Sequence, residues 1–130
     1  MKIIREKQTW KVSESFTKMN QCLERVAYSH GYRVSDVCKA MGCSSRYFYD
    51  VFHRDVGLSP KLWMKFERMV VARRKLDGGL DAKVVAKEIG FKSVHTFRRE
   101  FQLFHLSSPE LYQDIRQKSN DFMYFIRGEK

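Results

Sequence analysis

Two short stretches of the chain each set mostly hydrogen-bonding side chains around a pair of phenylalanines spaced four apart. In one, Ser93, Val94, His95, Thr96, Arg98, Arg99 and Gln102 surround Phe97 and Phe101. In the other, Ser44, Arg46, Tyr49, Asp50, His53 and Arg54 surround Phe48 and Phe52. Residues four apart share one face of an α-helix, so each phenylalanine pair reads as a buried seam. With Phe97 and Phe101 turned inward, a helical wheel turns His95, Arg99 and Gln102 directly outward, with Thr96 and Arg98 on the flanks. The same wheel turns Arg46, Asp50 and His53 outward, with Tyr47, Tyr49 and Arg54 beside them. A guanidinium offers a planar fork that matches guanine O6 and N7 as a bidentate pair. Taken singly, an exposed arginine is ordinary solvated surface. Two such faces in one chain point instead to recognition of a polyanion.

The elements that must carry these faces form a hidden repeat. "VCKAMG" at 37–42 aligns with "VAKEIG" at 85–90, and Phe48, Phe52 and Pro60 recur 49 residues later as Phe97, Phe101 and Pro109. A period of that size in a helical chain indicates two copies of one supersecondary unit. Each copy reads as helix, tight turn, helix. Asp81 is placed to cap the helix that carries Val85 and Ile89, and Gly90 ends it where a left-handed backbone suits only glycine. Ser93 then caps a helix bearing Val94, Phe97, Phe101 and Phe104 at intervals of three and four. The first copy repeats the plan with a helix over 35–41, Gly42, Ser44 as cap, and Phe48, Val51 and Phe52 as seam. Cys38 and Ala86 fill equivalent small-residue positions where paired helices approach closely.

Between the copies, Ser59 and Pro60 open a connecting helix that "DGG" at 77–79 ends. Leu62, Phe66, Met69, Val70 and Leu76 are expected on its buried side, and its length is roughly 25 Å at 1.5 Å per residue. Upstream, "SFTKMNQCLERVAYSHG" reads as an amphipathic helix through Phe16, Met19, Leu23, Val26 and Ala27, closing on Gly31. Ser108 and Pro109 open a short final helix through Leu111, Tyr112 and Ile115. "MKIIRE" reads as a short strand. "DFMYFIRG" at 121–128 reads as a second strand or a helical end, able to pair with the first or to mediate self-association.

The totals set limits on function. The 130 residues suit one domain or two very small ones, and 43% apolar with 14% aromatic residues suffices for a core. The formal net charge of +10 points to a polyanionic partner. No apolar run reaches membrane-spanning length, and the opening residues lack a signal-peptide pattern, so a cytoplasmic protein is expected. Cys22, Cys38 and Cys43 form no C-x-x-C pair, and the four histidines are scattered, so no metal site and no cofactor are implied. Clustered carboxylates, a nucleophile–base pair and a glycine-rich phosphate loop are all missing, which argues against an enzyme.

Residues 16 to 113 resemble the DNA-binding domain of AraC/XylS-family transcriptional regulators. The resemblance is carried by "VCKAMGCSSRYFYDVFHRDVGLSP", by "SPKLWMKFERMVVARRKL" with Arg68, Met69, Ala72 and Leu76, and most specifically by "AKEIGFKSVHTFRREF". It implies an all-α fold of two helix-turn-helix units, 15–58 and 80–117, joined by a linker helix at 59–77, with extensions at 1–14 and 118–130. It implies double-stranded DNA as partner, read by a monomer through two recognition helices in successive major grooves. Base contacts are implied for Arg46, Tyr49 and Asp50 and for Val94, His95, Thr96, Arg98 and Arg99. Helix starts near Ser44 and Ser93 would hold phosphates. Asp50 departs from the basic or polar reader usual there, Leu106 from a usual glycine, and Gln113 from a usual arginine, so the second unit is expected to dominate affinity. A chain of this length has no room for the family's usual sensor domain, and a stand-alone regulator, activating through contact with RNA polymerase, is the favoured expectation over a fragment. The competing reading, favoured by Asp50 and Leu106, is a protein–protein adaptor that uses the apolar tail.

Overall fold

The computed structural model describes residues 1–14 and 17–127. Three antiparallel strands, β1 (Lys2–Glu6), β2 (Thr9–Glu14) and β3 (Thr17–Cys22), precede helices α1 (Leu23–Ser29), α2 (Val34–Met41) and α3 (Ser45–Asp55). Helices α4 (Pro60–Asp77), α5 (Ala82–Glu88), α6 (Val94–His105) and α7 (Pro109–Arg127) follow. The chain divides into two compact units, Met1–Arg68 and Met69–Lys130, and α4 runs from one into the other.

In the first unit, α3 is held by its seam. Phe48, Val51 and Phe52 are buried, and the Phe52 ring lies 5.0 Å from Phe48 and 5.9 Å from Trp63 on α4. Val37 and Cys38 of α2, with Leu23 and Ala27 of α1, complete this core. In the second unit, Phe97 and Phe101 are buried over Val85, Ala86 and Ile89, with Met69, Ala72 and Leu76 of α4 in the same core.

The repeat extends to backbone hydrogen bonds. Gly42 ends α2 in the left-handed region at φ 67°, and Cys43 N–H donates to the Cys38 carbonyl at 3.1 Å. Forty-eight residues on, Gly90 has φ 83° and Phe91 N–H donates to the Ala86 carbonyl at 2.9 Å. Each bond satisfies a carbonyl that the helix end would otherwise leave without a partner.

The structure corrects two expectations and decides a third. The helix expected from residue 16 begins only at Leu23, because residues 17–22 form β3. The open edge of β2 supplies backbone partners that outweigh the weak helical spacing of this stretch, pairing Lys11 with Cys22 and Val12 with Gln21. Phe16 lies outside the described residues. At the other end, residues 121–127 take the helical of the two expected forms and continue α7, while "MKIIRE" forms β1 as expected and pairs with β2. Finally, the buried side of α4 is turned from the one anticipated. Trp63, Met64, Met69, Ala72 and Leu76 are buried, whereas Leu62 and Phe66 are each 40% exposed and Val70 is half-buried. The helix serves a different core in each unit, so no single stripe runs its length.

Leu106 occupies the position after α6 with φ 62° and is 83% exposed. A left-handed backbone costs a non-glycine residue about 1–2 kcal/mol, and an exposed leucine recovers little of this by packing. Leu106→Gly removes the strain while adding about 0.4–1 kcal/mol of unfolded-state entropy. A net gain of about 1 kcal/mol is expected, raising the melting temperature by about 4–8 °C. A thermal melt showing no rise would mean that the leucine makes a compensating contact.

Candidate nucleic-acid interface

Each recognition-type helix starts on a serine cap. Ser44 Oγ accepts from Tyr47 N–H at 3.1 Å and Ser93 Oγ accepts from Thr96 N–H at 3.1 Å. These bonds satisfy amides that begin α3 and α6 and fix the helix starts relative to the preceding turns. The hydroxyls of Ser93 and Thr96 also lie 3.1 Å apart, so Thr96 is oriented by its own cap.

On α6 the outward face is formed as the periodicity requires. His95, Thr96, Arg99 and Gln102 are exposed, Val94 is half-buried against the seam, and Phe97 and Phe101 are fully buried. Arg98 on the flank is drawn sideways, its Nε donating to Glu110 Oε1 of α7 at 2.7 Å. Both partners are substantially exposed, so the pair contributes little to stability, but it sets where the guanidinium points. The far end of α6 is held by His105. Its ring lies 4.4 Å from Phe101, and its Nε2 lies 3.1 Å from the Met69 carbonyl.

On α3, Arg46, Tyr49, Asp50 and His53 are exposed together, and Tyr49, Asp50 and His53 line an open cleft of about 390 Å³ with Arg54 and Ser59. Arg54 is committed elsewhere. Its Nε and Nη2 donate to the two oxygens of Asp55 at 2.8 and 3.0 Å, and Nη2 also donates to the Met1 carbonyl at 3.0 Å. Asp55 Oδ2 in turn accepts from the Ile3 amide at 2.8 Å. The Arg54 hydrogen bond, with help from the Ile3 amide and opposed by burial, lowers the Asp55 carboxyl to a pKa of about 2. The pairing with Asp55 raises Arg54 from its ordinary value. Tyr47 is likewise engaged, its hydroxyl accepting from the Met1 amino group at 2.9 Å.

The twelve candidate residues therefore divide. Arg46, Tyr49, Asp50, His95, Thr96, Arg99 and Gln102 are presented outward, Ser44 and Ser93 cap, Val94 borders the core, and Arg54 and Arg98 are held by carboxylates. Residue types alone do not reveal the partners Glu110 and Asp55, or the strand that Asp55 fastens. Gln113 proves structural as well: its Nε2 donates to the carbonyls of Leu76 and Leu80 at 2.9 and 2.8 Å, closing the end of α4. Among the described residues no group of histidine, cysteine and carboxylate side chains is placed to hold a metal, and no helix is long and apolar enough to cross a membrane.

Comparison with known proteins agrees with this construction. Residues 37–115 match a family model described as a helix-turn-helix domain. The chain is 29% identical over 102 residues to the transcriptional activator NphR of Rhodococcus sp., covering 78% of this chain and 30% of that protein. It is 26% identical over 87 residues to the raffinose operon transcriptional regulatory protein RafR of Pediococcus pentosaceus, covering 66% of this chain and 31% of that protein. The chain thus spans about a third of the length of these relatives. Among solved structures, the C-terminal domain of the two-component response regulator yesN from Fusobacterium nucleatum superposes with a TM-score of 0.62 at 22% identity, over 70% of this chain and 90% of that one.

Proposed function

Because the chain belongs to the AraC/XylS-type helix-turn-helix family, we propose that it regulates transcription by binding double-stranded DNA at a specific sequence, with α3 and α6 as recognition helices in successive major grooves. The observation that carries this reading is the shared design of the two helices. Each is serine-capped, is docked by a phenylalanine pair, and turns arginine and other hydrogen-bonding side chains to solvent. The major groove admits one α-helix and displays a distinct donor and acceptor pattern for every base pair. The 18 residues of α4 correspond to about 27 Å of helix, comparable to the repeat of about 34 Å along one face of the duplex. The net charge of +10 supplies the sequence-independent part of the affinity.

The names of the relatives support transcriptional control as the outcome. Asp50 fits the reading as an acceptor for a cytosine N4 amine in the major groove. Arg54 is better read as a fastening of the first unit than as a base reader, since three of its hydrogen bonds are already made.

A salt titration of binding to duplex DNA tests the proposal. The logarithm of the binding constant is expected to fall linearly with the logarithm of salt concentration, with a slope of about −0.9 for each phosphate neutralised. Selection from random duplexes should return one asymmetric sequence spanning about two turns. A flat salt response, with no sequence enriched, would favour the adaptor that uses the apolar C-terminal tail; Leu103, Leu106, Leu111 and Ile115 are exposed apolar residues before that tail.

A further inference from the structure

We propose that the N-terminal β-hairpin is a third DNA-contacting element, a wing whose Lys2 and Lys7 meet the phosphates bordering the groove that α3 enters. This rests on the DNA-binding reading above and adds a surface to it. The hairpin is built onto the side of α3 by bonds between residues 52 and 53 apart in sequence. The Ile3 amide is held by Asp55, the Met1 carbonyl by Arg54, and the apolar faces of Ile3 and Val12 are buried. Both fastening residues lie on the last turn of α3, so β1 is tied to the helix rather than to a flexible loop.

The position of this seat decides what the hairpin can touch. At 3.6 residues per turn, Tyr47 and Arg54 stand about a quarter turn from the outward line of Arg46, Asp50 and His53. A helix with its side chains is about 10–12 Å across, and the major groove is about 12 Å wide. A helix in the groove therefore fills it from wall to wall. Whatever is mounted on the shoulder of α3 must lie over a wall, and the wall is sugar and phosphate. A body carrying carboxylates there would be repelled.

The hairpin has the opposite charge. Across β1, its turn and β2, from Lys2 to Glu14, it carries Lys2, Arg5, Lys7 and Lys11 against Glu6 and Glu14. Lys2 and Lys7 are exposed, and Lys7 stands in the turn between β1 and β2 with φ 56°. Glu6 is paired with Lys11 at 3.2 Å, and Asp55 is covered by Arg54 and the Ile3 amide, with the charge of Lys2 acting on it as well. Arg5 stacks over Trp10 at 5.3 Å, leaving Lys2 and Lys7 as the hairpin cations without an ion pair among the described residues.

The test compares the parent chain with Lys2→Ala/Lys7→Ala in duplex binding at several salt concentrations. Both side chains are exposed, so the melting temperature should not change. The double variant is expected to bind every duplex several-fold more weakly at low salt, with a salt slope shallower by about 1.8, at about 0.9 per phosphate released. Its selected sequence should remain that of the parent. A steep parent slope that the double variant reproduces would reduce the hairpin to a brace and overturn the wing, leaving the DNA-binding reading intact. A parent without salt dependence would overturn both.

Discussion

Phe97→Ala is expected to destabilise the second unit by about 3–5 kcal/mol, at the upper end of what one substitution does to a domain. Phe97 is fully buried, with ring neighbours at 5.4 Å in Phe91 and 5.7 Å in Phe101. Removing the ring forfeits its transfer from water and leaves a cavity. The surrounding helices cannot readily collapse into it, because Ser93 and the Phe91 amide fix the turn on one side and Phe101 packs against His105 and Tyr112 on the other. Against a stability of about 5–15 kcal/mol for a whole domain, such a loss partly unfolds the unit at moderate temperature. Chemical denaturation followed by circular dichroism measures it directly. An unchanged midpoint would mean that Phe97 does not point inward, and with it would fall the assignment of the opposite side as the DNA face.

That opposite sides of one helix can be assigned from letters alone reflects how much of this fold is set by local chemistry. Gly42 and Gly90 mark turns that need a left-handed backbone, and Ser44, Asp81 and Ser93 cap because each precedes amides without partners. These signals act within four residues, so they are readable in sequence. The same holds for Phe48 and Phe52, whose spacing requires one face whatever the rest of the chain does.

What remained hidden depends on partners far away in the chain. Thr17–Cys22 became a strand because β2 offered an edge, not because its own residues demand extension. Trp63 displaced Leu62 and Phe66 from the buried side of α4 because the core beneath it contains Phe52, to which its ring is matched at 5.9 Å. Asp55 and Ile3 are 52 residues apart, and nothing in either type specifies the other. Arg98 shows the functional side of this limit. On a wheel it is a flanking reader, yet Glu110, twelve residues on, takes its guanidinium. A wheel describes the face from which a side chain leaves the helix; only the neighbours decide where its charged end goes.

The contrast between Arg98 and Arg99 makes the second large prediction specific. Arg99→Ala is expected to weaken binding to the selected duplex by about 1–3 kcal/mol, roughly 5- to 150-fold, and to relax preference at one base pair. Arg99 leaves α6 directly opposite Phe97 and Phe101, is exposed, and has no ion pair among the described residues. Its fork is thus available for a guanine edge without first breaking a bond. Arg98 must exchange its Glu110 partner for DNA, so part of any gain is cancelled by the bond it gives up. If Arg99 instead grips a phosphate, the alanine variant weakens on all sequences alike and its salt slope becomes shallower, whereas removing a base reader flattens selectivity at one position. Repeating duplex selection with the variant separates these outcomes. If the preferred sequence and the affinity both survive Arg99→Ala, α6 does not read bases through its outermost arginine, and recognition by the second unit must be sought at His95 and Gln102.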